Sequence, residues 1–102
     1  MLRAYMVFSG TGPILVVTRL STGMQSRHAQ EHLAGKGLEK YIAFEVPVAR
    51  AKERYGPRFQ TAVDRLNAPE DIRVVDLDGH HVFSNFQFNE MGEPVFVGPG
   101  DD

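Results

Sequence analysis

Two histidines and a glutamate stand at a spacing that can bind a metal ion. They are His28, Glu31 and His32, within the run HAQEH. Residues four apart share one face of a helix, so both imidazoles can reach the same ion, and Glu31 can act as a base or orient a ligand. With a third ligand such as His81, the pattern predicts a site for zinc or another divalent metal.

The same five residues match the H-x-x-E-H signature of the inverzincin metallopeptidases, and the match extends no further. A metallopeptidase also needs a third ligand on another element and a substrate cleft, and the chain is short for both. A competing interpretation places both histidines at the rim of a weakly amphipathic helix, whose apolar stripe consists of Ala29 and Leu33. This second interpretation is favoured. We therefore expect no cofactor, with a divalent metal as the alternative.

An aspartate and two histidines flank a predicted hairpin turn. Asp78-Gly79 is the strongest short-range hairpin signal in the chain, and a two-residue turn there makes Asp76 and His81 cross-strand neighbours. The carboxylate is expected to raise the pKa of His81 by favouring the imidazolium. Strand alternation places the candidate nucleophile Ser84 on the face of His80, too distant for a hydrogen bond. We therefore expect no catalytic triad within this hairpin.

Three arginines follow one another at helical spacing. Arg50 and Arg54 are one turn apart, and Arg58 continues the row if the break at Gly56 is mild. Three guanidinium groups in a row can bind a phosphate or a carboxylate-rich partner, although the same run is typical of a solvated helix surface. The glycine-rich run at residues 10–13 lacks a phosphate-loop lysine and leads into a strand, so it indicates a hairpin turn.

The composition indicates a broad class of protein and excludes others. The 102 residues are enough for one domain and too few for two independent cores, and the 42% hydrophobic content is that of an ordinary globular protein. Without cysteine, the chain has no disulfide, no thiolate metal site and no cysteine nucleophile. No segment resembles a signal peptide or reaches the ~20 apolar residues of a membrane helix. We expect a cytoplasmic protein with no membrane partner.

Charge is distributed unevenly along the chain. The net charge is −2, yet residues 1–73 contain all 11 Lys and Arg, whereas residues 74–102 contain acids and no Lys or Arg. A nucleic-acid-binding domain is normally basic overall, so this balance disfavours nucleic acid. One interpretation of this charge asymmetry is head-to-tail association of the protein. The favoured interpretation is that the acidic end maintains solubility. We expect one globular domain over residues 1–97 and a flexible acidic tail over 98–102.

Predicted strands and helices follow the order ββαβααβββ. Alternating apolar residues and turn signals predict strands at residues 2–8, 14–18, 41–46, 72–77, 80–88 and 95–97. Apolar stripes predict one helix from a capping box at Thr22 and Gln25 to Gly35, and a helical pair after Pro47 that breaks at Gly56. The second strand, apolar on both faces, is expected to be central. The order favours a single α+β domain with a mostly antiparallel sheet and helices packed on one face.

These patterns leave three hypotheses for function. No set of candidate catalytic residues is expected to come within hydrogen-bond reach of one another. The favoured hypothesis is therefore a non-catalytic accessory, regulatory or protein-interaction domain rather than an enzyme. The aromatic C-terminal segment, with Phe83, Phe86, Phe88 and Phe96, offers more surface than one small core needs, which favours a protein partner or a homodimer. One alternative is a small-molecule or metal-binding protein, such as a metal-dependent enzyme, that uses the two histidine clusters. The other is a phosphate or nucleotide binder that uses the arginine row.

Overall fold

An antiparallel sheet of four strands forms the centre of the protein. The computed structural model describes residues 1–9, 12–38, 40–79, 86–91 and 94–96. The four strands are Arg3–Ser9 (β1), Gly12–Thr18 (β2), Ile42–Val46 (β3) and Ile72–Asp76 (β4). They lie in the order β3-β1-β2-β4, so the hairpin of β1 and β2 occupies the middle. Two further strands, Phe86–Phe88 (β5) and Pro94–Phe96 (β6), pair in a sheet of their own.

Helices connect the strands in the order that the sequence predicts. A 3-10 helix at Gly23–Gln25 and then α1 at Arg27–Ala34 lie between β2 and β3. The pair α2 (Val48–Tyr55) and α3 (Pro57–Asp64) lies between β3 and β4. Every strand pairing in the described residues is antiparallel. The predicted single α+β domain with a mostly antiparallel sheet is therefore confirmed.

The β1–β2 hairpin presents apolar side chains to both faces of the sheet. On one face Met6 lies opposite Leu15, and on the other Tyr5 lies opposite Val16. All four side chains are buried. Because successive side chains alternate across a strand, burial of both sets requires a cover on each side of the sheet. The predicted central position of β2 is confirmed.

The helices lie on both faces of the sheet, which corrects the expectation that they pack on one face. The helices α2 and α3 cover the face of Met6, where Tyr55 and Phe59 join its apolar cluster. The helix α1 covers the opposite face, where Ala29 and Leu33 join the cluster of Tyr5 and Val16. The physical reason is that both apolar faces of the central hairpin must be removed from water.

The helix α1 begins later than the sequence predicts and ends where predicted. Ser26 is its N-cap, because the Ser26 hydroxyl accepts a hydrogen bond from the Ala29 N–H at 2.9 Å. Thr22 makes no capping hydrogen bond, so the capping box predicted there is wrong. Gly23, with a φ of 62°, interrupts the right-handed path that a helix from Thr22 would need. The helix ends at Gly35 as predicted.

A break at Gly56 separates α2 from α3, as predicted. Gly56 has a φ of 50°, a left-handed conformation that glycine adopts at little cost. Pro57 follows as the first residue of α3, where its missing N–H is not needed. The buried side chains of Tyr55 and Phe59 lie on either side of the break, so both helices contribute to the same core.

The C-terminal part of the chain is described only in part. The strand predicted at 80–88 is represented by β5, and its earlier residues, with the predicted pairing across Asp78-Gly79, lie outside the described residues. The predicted tail at 98–102 and the side chains of the C-terminal phenylalanines also lie outside them. In the segments that the structure describes, no helix is long and apolar enough to cross a lipid bilayer.

Gly23 brings the 3-10 helix into close contact with the sheet. A Cβ atom at this position would overlap the Tyr5 hydroxyl and would lie 2.8 Å from the ring carbon that carries it. The backbone φ of 62° is also one that other residues rarely adopt. Both the space and the backbone conformation therefore require glycine here.

Gly23→Ala is expected to lower the free energy of unfolding by about 2–4 kcal/mol, because the strained backbone and the overlap with Tyr5 add together. Gly37 provides a matched control, since it has a φ of 83° and no atom within 4 Å of the position of a Cβ. Gly37→Ala is expected to lower the free energy of unfolding only by the cost of the unfavourable backbone φ, without a steric overlap. Urea unfolding followed by circular dichroism measures both, and equal losses would contradict the steric part of this account.

Candidate functional site

A polar cleft of about 670 Å³ opens on the α1 face of the sheet. Its volume lies within the range of small-molecule sites, roughly 300–1,000 Å³. The walls come from β1, β3, the 3-10 helix, α1 and the segment that leads into β3. The lining residues are Arg3, Tyr5, Thr22, Met24, Gln25, Gln30, Lys40, Tyr41, Ala43 and Glu45. We call this concavity the polar cleft.

The polar cleft lies beside α1, which covers only part of its face of the sheet. The two buried residues of α1, Ala29 and Leu33, belong to one apolar cluster with Val16 of β2 and Ile72 of β4. Toward the other edge, Glu45 of β3 stays exposed. A helix of eight residues is only about 12 Å long, so one region of this face stays open to solvent.

Two tyrosine hydroxyls form hydrogen bonds in the walls of the polar cleft. The Tyr41 hydroxyl donates a hydrogen bond to the Met24 carbonyl at 2.8 Å, which joins the approach to β3 to the 3-10 helix. The Arg3 Nη1 group donates to the Tyr5 hydroxyl at 3.5 Å. Burial raises the pKa of Tyr41, and the hydrogen bond to Tyr5 raises the pKa of Arg3. At neutral pH the Tyr41 hydroxyl therefore keeps its proton and Arg3 keeps its positive charge.

The charge within the polar cleft is mixed, with cations in excess. Arg3 and Lys40 contribute two positive charges, whereas Glu45 contributes one negative charge. Guanidinium and ammonium groups bind carboxylates and phosphates, and the neighbouring hydroxyls and glutamine amides can orient the rest of a ligand. The arrangement can therefore bind a small polar molecule that carries an anionic group.

The predicted metal ligands on α1 have separate surroundings. His28 is exposed, and Glu31 forms an ion pair with Arg27 at 3.3 Å. His32 is half-buried, and its Nε2 atom is buried without a hydrogen-bond partner. Within the described ranges, no group of three His, Asp or Glu side chains could hold a metal ion. His81, the expected third ligand, lies outside the described residues, so the metal site stays a prediction.

Asp76 lies on the opposite face of the sheet from α1. It pairs with Leu15 in the β2–β4 register, and its carboxylate accepts a hydrogen bond from Arg58 Nη2 at 3.3 Å. The Asp76 side chain is only 11% exposed, whereas the Arg58 side chain is 65% exposed, so the ion pair has one buried partner and one that faces solvent. The structure thus does not bring Asp76 together with the α1 histidines. His80 and His81 lie outside the described residues, so the predicted pairing of Asp76 with His81 stays a prediction.

The three arginines of the predicted anion site are Arg50, Arg54 and Arg58. None of the three concavities that we describe is lined by all of them. Arg58 is engaged in its ion pair and also lies over the ring of Tyr55, 5.8 Å from the centroid. A depression of about 290 Å³ beside it is lined by Arg58 and Arg65, whereas Arg50 and Arg54 do not line it. An anion site built from all three stays a prediction, and the geometry favours the polar cleft over it.

Sequence reasoning did not identify the residues of the polar cleft. They form no motif, because they come from several short segments that only the fold brings together. One local signal was present, since Arg3 and Tyr5 alternate with the apolar Ala4 and Met6 along β1. The facing positions on β3 and the 3-10 helix depend on the pairing of distant segments, and no local pattern contains that information.

The fold and the cleft together define an α+β domain with helices on both faces of a four-stranded antiparallel sheet and a polar cleft beside one helix. Comparison with protein-family models, curated proteins and solved structures finds no match. The role of the cleft must therefore be inferred from its own geometry and chemistry.

His32 makes the packing of α1 sensitive to pH. Burial lowers the pKa of His32, the positive charges of Lys36, His28 and Arg73 lower it further, and Asp71 acts in the opposite sense. The pKa of His32 is lower in the folded state than in the unfolded chain. At a pH between these two pKa values the folded state therefore binds fewer protons than the unfolded chain does. This contribution to stability is present above the unfolded pKa of about 6.5 and is lost as the pH falls toward the folded pKa.

The free energy of unfolding is expected to decrease as the pH falls from about 7.5 to 5.5, and His32→Gln is expected to flatten this slope. His28→Gln is the matched control, because His28 is exposed on the same helix, and its replacement leaves the burial of His32, the largest cause of the lowered pKa, in place, so most of the slope should remain. Urea denaturation at stepped pH values measures all three proteins. Parallel slopes for the wild type and His32→Gln would show that burial of this imidazole has no part in the pH dependence.

Proposed function

We propose that the protein is a small-molecule-binding accessory domain whose ligand occupies the polar cleft. The observation that carries this proposal is a concavity of about 670 Å³ whose lining includes both Arg3 and Lys40. The ligand class is a small polar molecule with a carboxylate or phosphate group. The proposal joins the accessory role favoured from the sequence to its small-molecule alternative, but with residues other than the histidines.

Preorganisation of the cleft supports binding of a small ligand. The hydrogen bond from Tyr41 to the Met24 carbonyl ties two of its walls together. The close contact of Gly23 with Tyr5 holds the 3-10 helix against the sheet. A site whose walls are already ordered loses less conformational freedom when a ligand binds, so more of the interaction energy contributes to affinity.

The charges of the cleft support an anionic group as the recognised feature. Arg3 has five N–H donors, of which one points to the Tyr5 hydroxyl, so further donors remain for a ligand oxygen. Lys40 adds a second cation to the lining. Glu45 interacts electrostatically with Arg3 and favours a ligand that also carries a hydroxyl or ammonium donor. Hydroxy acids, amino acids and small phosphate esters fit this description.

Arg3→Gln is expected to weaken binding of a carboxylate or phosphate ligand by about tenfold, since it removes a charge-assisted hydrogen bond. The measurement is an NMR amide-shift titration with citrate, glutamate and inorganic phosphate. Lys52→Gln is the control, because it removes one positive charge from an exposed position of α2, on the other face of the sheet.

Saturable shifts at the residues that line the polar cleft, weakened in Arg3→Gln and unchanged in Lys52→Gln, would support the proposal. Two results would reject it. One is the absence of a saturable shift with all three probes, and the other is equal weakening by the two substitutions, which would indicate general electrostatic attraction without a site.

A second candidate function is self-association through the outer edge of β3. Among the described strands β3 pairs only with β1, so its other edge has no strand beside it. Ile42 on this strand is 41% exposed, and Phe44 packs edge-on against Phe8 with ring centroids 6.0 Å apart. An edge strand can pair with a strand of another chain. We propose a homodimer in which two β3 strands pair as the second candidate.

Ile42→Lys is expected to convert this dimer to a monomer, because a charged side chain on an edge strand opposes strand pairing. Leu77→Lys is the matched control, since Leu77 is 79% exposed and follows β4 at the opposite edge of the sheet. Sedimentation equilibrium measures the mass of each protein. A monomeric wild-type protein, or loss of the dimer in both variants, would exclude the β3 interface.

A further inference from the structure

An apolar cleft of about 270 Å³ lies on the α1 face of the sheet, on the side toward β4. Aliphatic side chains of β2, α1 and β4 form most of its lining, among them Val16, Leu33 and Val74. Leu77, at its rim, is 79% exposed, so the cleft is accessible from solvent. None of these residues lines the polar cleft. We call this concavity the apolar cleft.

Two polar side chains also line the apolar cleft. They are His32, in the last turn of α1, and Lys36, which lies two residues beyond the last residue of this helix. Among the ion pairs of the described residues, none involves Lys36. The Nε2 atom of His32 is buried and has no hydrogen-bond partner. Buried polar atoms without a partner are rare because they lose the hydrogen bonds of water and gain none in exchange.

We propose that the apolar cleft binds a small amphipathic carboxylate, with its hydrocarbon part against Val16, Leu33 and Val74 and its carboxylate at Lys36 and His32. The occupant follows from charge complementarity, because the one charged side chain of an otherwise mostly aliphatic lining is Lys36, and the other polar side chain, His32, has a nitrogen without a hydrogen-bond partner. A carboxylate supplies a counter-charge for Lys36, which forms no ion pair within the described residues, and an acceptor beside the imidazole. This site is independent of the polar cleft and does not rest on the function proposed above.

The size of the apolar cleft sets the length of the hydrocarbon part. Its volume of about 270 Å³ equals that of roughly nine water molecules in the liquid, which accommodates a chain of about eight carbon atoms. Each buried methylene contributes about fourfold in affinity. The chain length therefore dominates the affinity, whereas Lys36 determines the sign of the charge that is accepted.

Isothermal titration calorimetry with octanoate, octylammonium and butyrate tests the proposal. Octanoate is expected to bind, octylammonium to bind about tenfold more weakly, and butyrate, which is four methylenes shorter, about 250-fold more weakly than octanoate. Lys36→Gln is expected to weaken octanoate about fivefold. Lys40→Gln is the matched control, because it removes the same charge from the polar cleft and should leave octanoate binding unchanged.

Leu77→Glu provides a second variant that is expected to fold, since the side chain it replaces is 79% exposed. It places a negative charge at the rim and is expected to reverse the preference from octanoate to octylammonium. Three results would overturn the proposal: no octanoate binding at millimolar concentration, equal affinities for octanoate and octylammonium, or equal effects of Lys36→Gln and Lys40→Gln. Arg3→Gln should leave octanoate binding intact, so failure here is distinguishable from failure of the polar-cleft proposal.

Discussion

The burial of both faces of the β1–β2 hairpin is the constraint on which the rest of the structure depends. The buried pairs Met6 with Leu15 and Tyr5 with Val16 point to opposite sides of the sheet. Burial of apolar surface yields about 25 cal/mol for each Å², so both sides need a cover. The pair α2–α3 and the helix α1 provide it on opposite faces, while β3 and β4 complete the sheet at its edges.

The unequal cover on the two faces explains where the two clefts lie. Two eight-residue helices pack on one face, and a single eight-residue helix packs on the other. Both clefts therefore flank α1. They differ in chemistry because the strands beside them differ: Arg3 and Glu45 line the side of β1 and β3, whereas Val16 and Val74 line the side of β2 and β4. Candidate binding sites arise here from incomplete coverage, with no dedicated motif in the sequence.

The candidate sites could be predicted from the sequence only in fragments. Helical spacing correctly placed His28 and His32 on one short helix, but it could not show that His32 adjoins an apolar cleft together with Lys36. Strand alternation predicted the direction of the Asp76 side chain within its own hairpin. It could not predict that Arg58 of α3 forms an ion pair with Asp76. In each case the missing partner lies on an element that is distant in sequence. Contacts of that kind depend on packing, which local periodicity does not encode.

The sequence by itself determined the order of the elements, the apolar character of both faces of β2, and the break between α2 and α3 at Gly56. These follow from periodicity and turn chemistry, which are properties of contiguous residues. Only the tertiary structure decided that α1 lies opposite α2 and α3, that Ser26 and not Thr22 caps α1, and that two clefts open beside it. The physical reason is that these features depend on strand order, on the register shift between Leu15 and Val16, and on how far a short helix can cover a wide sheet.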